Sequence, residues 1–323
     1  MPSRPYVVHA NLDCEAAWAG VPLPPAVARR ISYYSALVAA IAPEGAEVEV
    51  WAPAAVEAAR LRSIGAGEAG RGGRATEAWR APAMRVGVPA QADTAWADPG
   101  AKAGNDRRLA LAVAAAHGAA LPGAKTIAAA GEIDLPGPWV CKAPWTSAGR
   151  DRCRGAGPPS AEQRTRIERL IAAHGELVLE PWCDRIADAG VCARVGADGA
   201  VEVQPPHALL VDARGGFAGI DLDEPALEPA ERARLEEIAA AAGAALAARG
   251  FAGPFAVDAF AYRDGERRRF HPLCEINARL TFGWIARALA ARLGTRRLGF
   301  GPAPEGARVL IEPAGDGITA WCA

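Results

Sequence analysis

The 323-residue sequence predicts a mixed α/β (α+β) protein built of more than one lobe, on three observations. Hydrophobic residues make up 51% and charged residues 23%, an ordinary balance for a chain that buries a core of its own. Short runs rich in β-branched and aromatic residues alternate with helical segments. Near the C-terminal end, FAGPFAVDAFAYRDGERRRFHPLCEINARLTFG at 251–283 sets polar residues inside what otherwise reads as buried strand.

Along the first hundred residues, YVVHA at 6–10 and VEVWA at 48–52 read as short buried strands. The stretches 27–42 and 54–64 read as helices. The Gly-rich stretch 65–82 follows a helix, not a strand, so it is a loop and not a dinucleotide fingerprint. Asn11, Asp13 and Glu15 sit where either a strand-edge ligand site or a helix cap with acidic first turn would lie. From Gly104, GNDRRLALAVAAAHG predicts a helix opened by Asn105 or Asp106 and closed by Gly118. WVCKA at 139–143 predicts a strand carrying Lys142, followed by a loop of small residues, Thr146, Ser147, Ala148 and Gly149. Ser160 and Gln163 form a capping-box pattern for a helix ended by Gly175. ELVLEPWCDRIADAGVCARV at 176–195 predicts strand, hinge, strand, with a turn at Asp198-Gly199 next. The Ala-rich helix of 228–250 stops at Gly250, and a last helix over roughly 282–293 stops at Gly294.

Bulk properties exclude several classes. The formal net charge is -1 and no block of five like charges occurs, so neither a nucleic-acid nor a membrane surface is expected. The N-terminal segment lacks the apolar core of a signal peptide, and no run reaches the ~18 apolar residues of a membrane span, so a cytoplasmic location is expected. The 7 cysteines form no C-x-x-C pair, and the 5 histidines are scattered, which argues against disulfides and zinc. Lysine occurs only at 102, 125 and 142 in an arginine-rich chain, which singles out positions where a compact charge is needed.

The chemistry concentrates in the final strand pair. Side chains alternate along a strand, so Glu275, Asn277 and Arg279 project on one face and Cys274, Ile276 and Ala278 on the other. Asp258 lies on the preceding strand. Two carboxylates and an amide oxygen are hard ligands suited to Mg²⁺, and an arginine beside them suits phosphate or carboxylate. Taken alone, E-x-N-x-R reads as the wet face of an exposed hairpin. A two-residue turn at Asp264-Gly265 would put Asp258 opposite His271 and leave Glu275 about 13 Å further along. The expectation is therefore a longer loop over roughly 263–270, with Pro272 confined to a strand edge, start or bulge.

GPFAVDAF followed by CEINARLTFG resembles the metal-binding hairpin of the ATP-grasp superfamily. Three more stretches resemble its other motifs in the family's order, over roughly 105–290. They are the basic helix start at Asp106-Arg107, the lysine strand with its phosphate loop, and the adenine hinge after Glu180. The resemblance implies an ATP-grasp fold of two α+β lobes clasping ATP, preceded by an α/β domain, with divisions at 1–103, 104–180 and 181–323. It implies that Asp258, Glu275 and Asn277 hold Mg²⁺, for which Mn²⁺ would also serve. Arg107, Lys142, Ser147 and Gly149 would meet the phosphates. Glu180, Trp182 and Cys183 would meet the adenine edge, and Asp184 or Asp188 the ribose. Lys142 and Arg279 would act on the transferring phosphoryl group and the acyl phosphate. The loop is poorer in glycine than the family's, and Arg107 stands where the family has lysine. The implied activity is ligation of a carboxylate to an amine or similar nucleophile through an acyl phosphate. A nucleotide-binding module without turnover and a phosphotransferase of the same fold are the alternatives. Read as an exposed phosphate ligand, Lys142 should tolerate alanine with little change in stability.

Overall fold

The structure, a computed structural model, describes residues 14–18, 23–41, 57, 60–61, 99–145, 151–212, 215–223 and 226–323. The strands expected at 6–10 and 48–52, most of the helix at 54–64, the Gly-rich stretch, Asn11, Asp13, Ser147 and Gly149 lie outside the described residues.

The chain begins with α1 (Cys14–Trp18) and α2 (Pro25–Ala36), the latter opened by prolines that need no helical N–H partner. A 3₁₀ turn at Leu37–Ile41 extends α2. After α3 (Pro99–Gly104), α4 (Arg107–Ala116) starts where the Asp106 carboxylate accepts from the Arg108 amide. Four strands then build a small antiparallel sheet in the order β1-β4-β2-β3: β1 (Lys125–Ile127), β2 (Pro138–Lys142), β3 (Arg152–Ala156) and β4 (Leu177–Pro181). Between β3 and β4 runs α5 (Ala161–His174), with the reciprocal Ser160–Gln163 capping box in place. Its Ile167 packs with Ile127, Trp139, Cys141 and Leu179 as this sheet's core. A Cβ at Gly155 would run into the Trp139 ring, so only glycine fits there.

The rest of the chain forms a nine-stranded antiparallel sheet. It comprises β5 (Asp184–Val195), β6 (Val201–Val203), β7 (His207–Val211), β8 (Phe217–Asp221), β9 (Gly253–Asp264), β10 (Arg267–Asn277), β11 (Arg297–Phe300), β12 (Arg308–Ile311) and β13 (Ala320–Cys322). The order is β10-β9-β5-β7-β8-β11-β13-β12, with β6 on β5. Helix α6 (Pro229–Ala247) lies on one face with α4, and Leu235, Ile238 and Leu246 meet Phe255, Val257 and Ile276 there. Helix α7 (Phe282–Leu293) ends at Gly294, whose positive φ of 70° closes it as expected. It joins Tyr33 and Leu37 to Leu298 and Ile311 in a second core, so the N-terminal helices pack on this sheet. Among the described residues, no helix is long and apolar enough to cross a membrane. The mixed α+β class agrees with the sequence reading.

Two histidines are buried in these cores. His207 is enclosed by Gly190 and Gly283, where any side chain would collide with its ring, and burial followed by the Arg287 charge pushes its pKa down to about 3. Burial pushes His271 down to about 4, against the opposing pull of Glu180 and the Ala119 carbonyl. Both folded values lie below the unfolded one of about 6.5, so the stability they contribute is complete above that pH and is lost as pH falls towards 4. Urea titrations should show unfolding free energy dropping by roughly 2–3 kcal/mol per histidine between pH 6.5 and 4. His207→Leu should flatten that slope; an unchanged slope would mean that His207 is not buried neutral.

Candidate active site

The β9/β10 hairpin is tighter than the sequence reading expects. Asp264 pairs with Arg267, so Gly265-Glu266 forms a two-residue turn, and the expected long loop over 263–270 is not there. Phe260 still pairs with His271, yet Asp258 pairs with Glu275. Pro272, Leu273 and Cys274 bulge opposite Ala259 alone, absorbing the surplus, and the missing proline N–H is accommodated by that irregularity. The two carboxylates thus face each other by a bulge, not by a loop. The bulge also breaks strict alternation: Cys274, expected on the face away from Glu275, accepts from Arg185 Nη2 at 3.4 Å beside the acidic residues.

Asp258 is partly buried, and its carboxyl is pushed up to about 7 by burial first and the Glu275 charge second. Arg279 and the Asn277 amide pull it the other way. Asn277 donates to Asp258 Oδ2 at 3.2 Å, and its own Oδ1 accepts from Arg279 Nη2 at 3.1 Å. The opposed carboxylates of Asp258 and Glu275, with the Asn277 side chain beside them, offer hard oxygen donors whose mutual repulsion a divalent cation would relieve. No cluster of three His, Cys, Asp or Glu side chains suited to a metal occurs among the described residues. Hard oxygen donors of this kind suit an ion such as Mg²⁺, which keeps waters and shares ligands with phosphate.

Arg107 and Arg279 flank this set. Arg107, buried at the first turn of α4, donates from Nη1 to the Ala143 carbonyl at 3.0 Å and from Nη2 to Glu275 at 2.9 Å. Asn105, one of the two expected caps, instead bonds both backbone groups of Ala278, which fixes α4 against the end of β10. Arg279 lies just past β10 and donates from Nε to Glu15 at 2.8 Å, with Glu15 buried in α1. Glu15 is thus a first-turn acidic residue and also the counter-charge of Arg279. That pairing holds the Arg279 guanidinium well above its ordinary pKa despite burial.

Across from the hairpin, Lys142 at the end of β2 meets Glu180 on β4 at 2.5 Å, both largely buried. Burial opposes both charges, yet Glu180 holds the lysine above its usual value and Lys142 holds the carboxyl below its own. Trp182 and Cys183 connect β4 to β5 as the expected hinge. The Trp182 N–H donates to the Pro138 carbonyl at 2.8 Å, so that donor is committed within the sheet and is not offered to a ligand. Its indole is 39% exposed, which excludes a core role. Asp188 is paired with Arg185 at 2.9 Å, and Arg185 lies 3.9 Å over the Phe260 ring. Sequence reasoning missed Arg185, because a spacing of three on a strand puts it and Asp188 on opposite faces; the register irregularity between Arg185 and Ala187 brings them together. A cavity of about 310 Å³ lined by His271, Tyr262, Glu231 and Arg234 lies at the outer part of the hairpin, and none of the expected site residues lines it.

The end of the lysine strand on one antiparallel sheet is thus linked to Glu275 on the other through Arg107, which bonds the Ala143 carbonyl and Glu275. Two antiparallel sheets with helices packed on them agree with the mixed α+β class expected from the sequence. No family model matches the chain, and neither does any curated protein. Solved structures similar to it include biotin carboxylase from Campylobacter jejuni in a β-γ-ATP complex, at 16% identity and TM-score 0.45, over 65% of this chain and 56% of that one. N5-carboxyaminoimidazole synthetase from Staphylococcus aureus with ADP matches at 13% identity and TM-score 0.45, over 61% of this chain and 56% of that one. Carboxyaminoimidazole ribonucleotide synthase from Aspergillus clavatus with ATP matches at 15% and 0.46, over 68% and 67%. This chain thus spans little more than half the length of the first two.

The Lys142–Glu180 pair corrects the expectation that Lys142→Ala leaves stability unchanged. Removing one partner strands a buried charge, so the variant should lose about 3 kcal/mol or more in denaturant unfolding. Lys142→Met combined with Glu180→Leu should recover most of that loss. Equal stability of Lys142→Ala and wild type would return Lys142 to an exposed surface position.

Proposed function

We propose that this chain is an ATP- and Mg²⁺-dependent ligase of the ATP-grasp kind, which activates a carboxylate as an acyl phosphate and joins it to an amine or similar nucleophile. The observation that carries the reading is the convergence of Lys142 on the small sheet and Arg107 on α4 with Asp258, Glu275 and Asn277 on the hairpin. Glu275, Asn277 and Asp258 would hold the metal, which supplies positive charge against the phosphates. Lys142 and Arg107 would bind the phosphate chain, each exchanging part of its present carboxylate contact for phosphate oxygen. Positioning and electrostatics of this kind need no protein nucleophile. Arg279, kept charged and oriented by Glu15, would steady the substrate carboxylate with the N–H groups it has left. We also propose the divisions at 103/104 and 180/181, the second lying just before the Trp182-Cys183 hinge.

One observation favours a second reading. Arg279 already contacts Glu15, Asn277 and the Leu280 carbonyl, which suits a nucleotide-binding module whose arginine serves structure alone. Two measurements separate the readings. Mg-ATP should raise the unfolding free energy by about 2.7 kcal/mol at a hundred times its Kd, and no thermal shift at millimolar Mg-ATP would sink both. Across a screen of carboxylates and amines, a carboxylate labelled with heavy oxygen should pass one label into inorganic phosphate per product formed. Glu275→Gln, which keeps a partner for Arg107 but removes a ligand charge, should abolish that transfer. Binding without turnover throughout the screen would favour the module.

A further inference from the structure

The β2/β3 hairpin carries two cations that the site described so far does not use. Arg152 pairs across the strands with Lys142, and Arg154 with Val140. Cys153 between them is buried in the small sheet's own core, so Arg152 and Arg154 project from the opposite face, the one that carries Lys142. Both guanidinium groups lie over the exposed Trp182 indole, Arg154 at 4.6 Å and Arg152 at 5.8 Å from its ring centroid. Stacking of this kind orients a guanidinium while leaving its in-plane N–H donors free for an anion.

The surrounding charges make the pair stand out. Lys142 has Glu180, Arg107 has Glu275, Arg185 has Asp188 and Arg279 has Glu15. Among the described residues, neither Arg152 nor Arg154 has a carboxylate within the 4.0 Å of an ion pair. Burial, then the neighbouring Arg154, Arg185 and Arg107, depress the Arg152 pKa, which marks a like-charge field. Such a field is costly by itself and becomes favourable around a multiply charged anion.

Resting on the ligase reading above, we infer that Arg152 and Arg154, braced on Trp182, form an anion clamp that grips the polyphosphate of the bound nucleotide from the β3 side. The several positive charges that converge there suit a polyphosphate better than a single carboxylate, which one arginine fork would satisfy. Trp182 is the brace, not a base-stacking platform, because its face is occupied by the guanidinium groups.

Calorimetric titration in Mg²⁺ of wild type, Arg152→Gln, and Arg152→Gln with Arg154→Gln tests this with ATP, AMP, adenosine and acetate as ligands. ATP affinity should fall about tenfold or more in the double variant, while adenosine affinity stays within about twofold. Arg152→Lys should keep most of the preference for ATP over adenosine. The melting temperature of the ligand-free variants should not fall, since removing a repelled charge relieves strain that a structural arginine would not carry. Wild-type ATP binding with an unchanged ATP-to-adenosine ratio in the double variant would overturn the clamp and spare the ligase reading. Equal loss of ATP and adenosine would overturn it in favour of a base platform, and loss of acetate binding alone in favour of a carboxylate site. If wild type binds no nucleotide, both readings fall together.

Discussion

A single guanidinium ties the two sheets to one another at the candidate site. Arg107 reaches from the first turn of α4 to the Ala143 carbonyl, where β2 ends, and to Glu275 on β10. Its backbone N–H also meets the Pro144 carbonyl. Helix α4 is itself anchored to the large sheet by Asn105 on Ala278 and by Leu109 and Val113 in the core. The exit of the lysine strand is therefore held at a set distance from the acidic hairpin. Arginine suits this position better than lysine, because its planar fork satisfies a carbonyl and a carboxylate at once.

The chemistry of the site follows from a balance of burial and pairing. Basic and acidic side chains meet as pairs along the facing surfaces, and in the Lys142–Glu180 pair each partner holds the other charged against desolvation. Asp258, set opposite Glu275, departs from that pattern as a carboxyl facing a like charge, and Arg152 and Arg154 depart from it as cations without carboxylates among the described residues. These two departures have opposite sign and lie on opposite sheets. A metal-bound polyphosphate is a ligand whose two ends would answer both.

Some residues were legible because a local rule decides them. Asp106, Ser160 with Gln163, Gly175 and Gly294 mark helix ends through contacts within a few residues, and the structure uses each as the pattern implies. Strand residues such as Lys142, Glu180 and Glu275 were legible because polar groups in buried runs demand a partner. Cys274 was not, because a bulge changes the face of a residue without changing its neighbours in sequence.

The sequence by itself determined the mixed class, the helix ends at Asp106, Ser160, Gly175 and Gly294, and the strands that carry Lys142, Glu180 and Glu275, since propensity, capping and period-two patterning act over short range. Only the tertiary structure decided which charges pair. Arg279 with Glu15 and Arg107 with Glu275 join residues more than a hundred positions apart. Likewise Asp258 meets Glu275 through three bulged residues, not through the longer loop that spacing alone suggests. Register and long-range pairing depend on how two sheets and the helices on them pack, and that information resides in no single stretch of the chain.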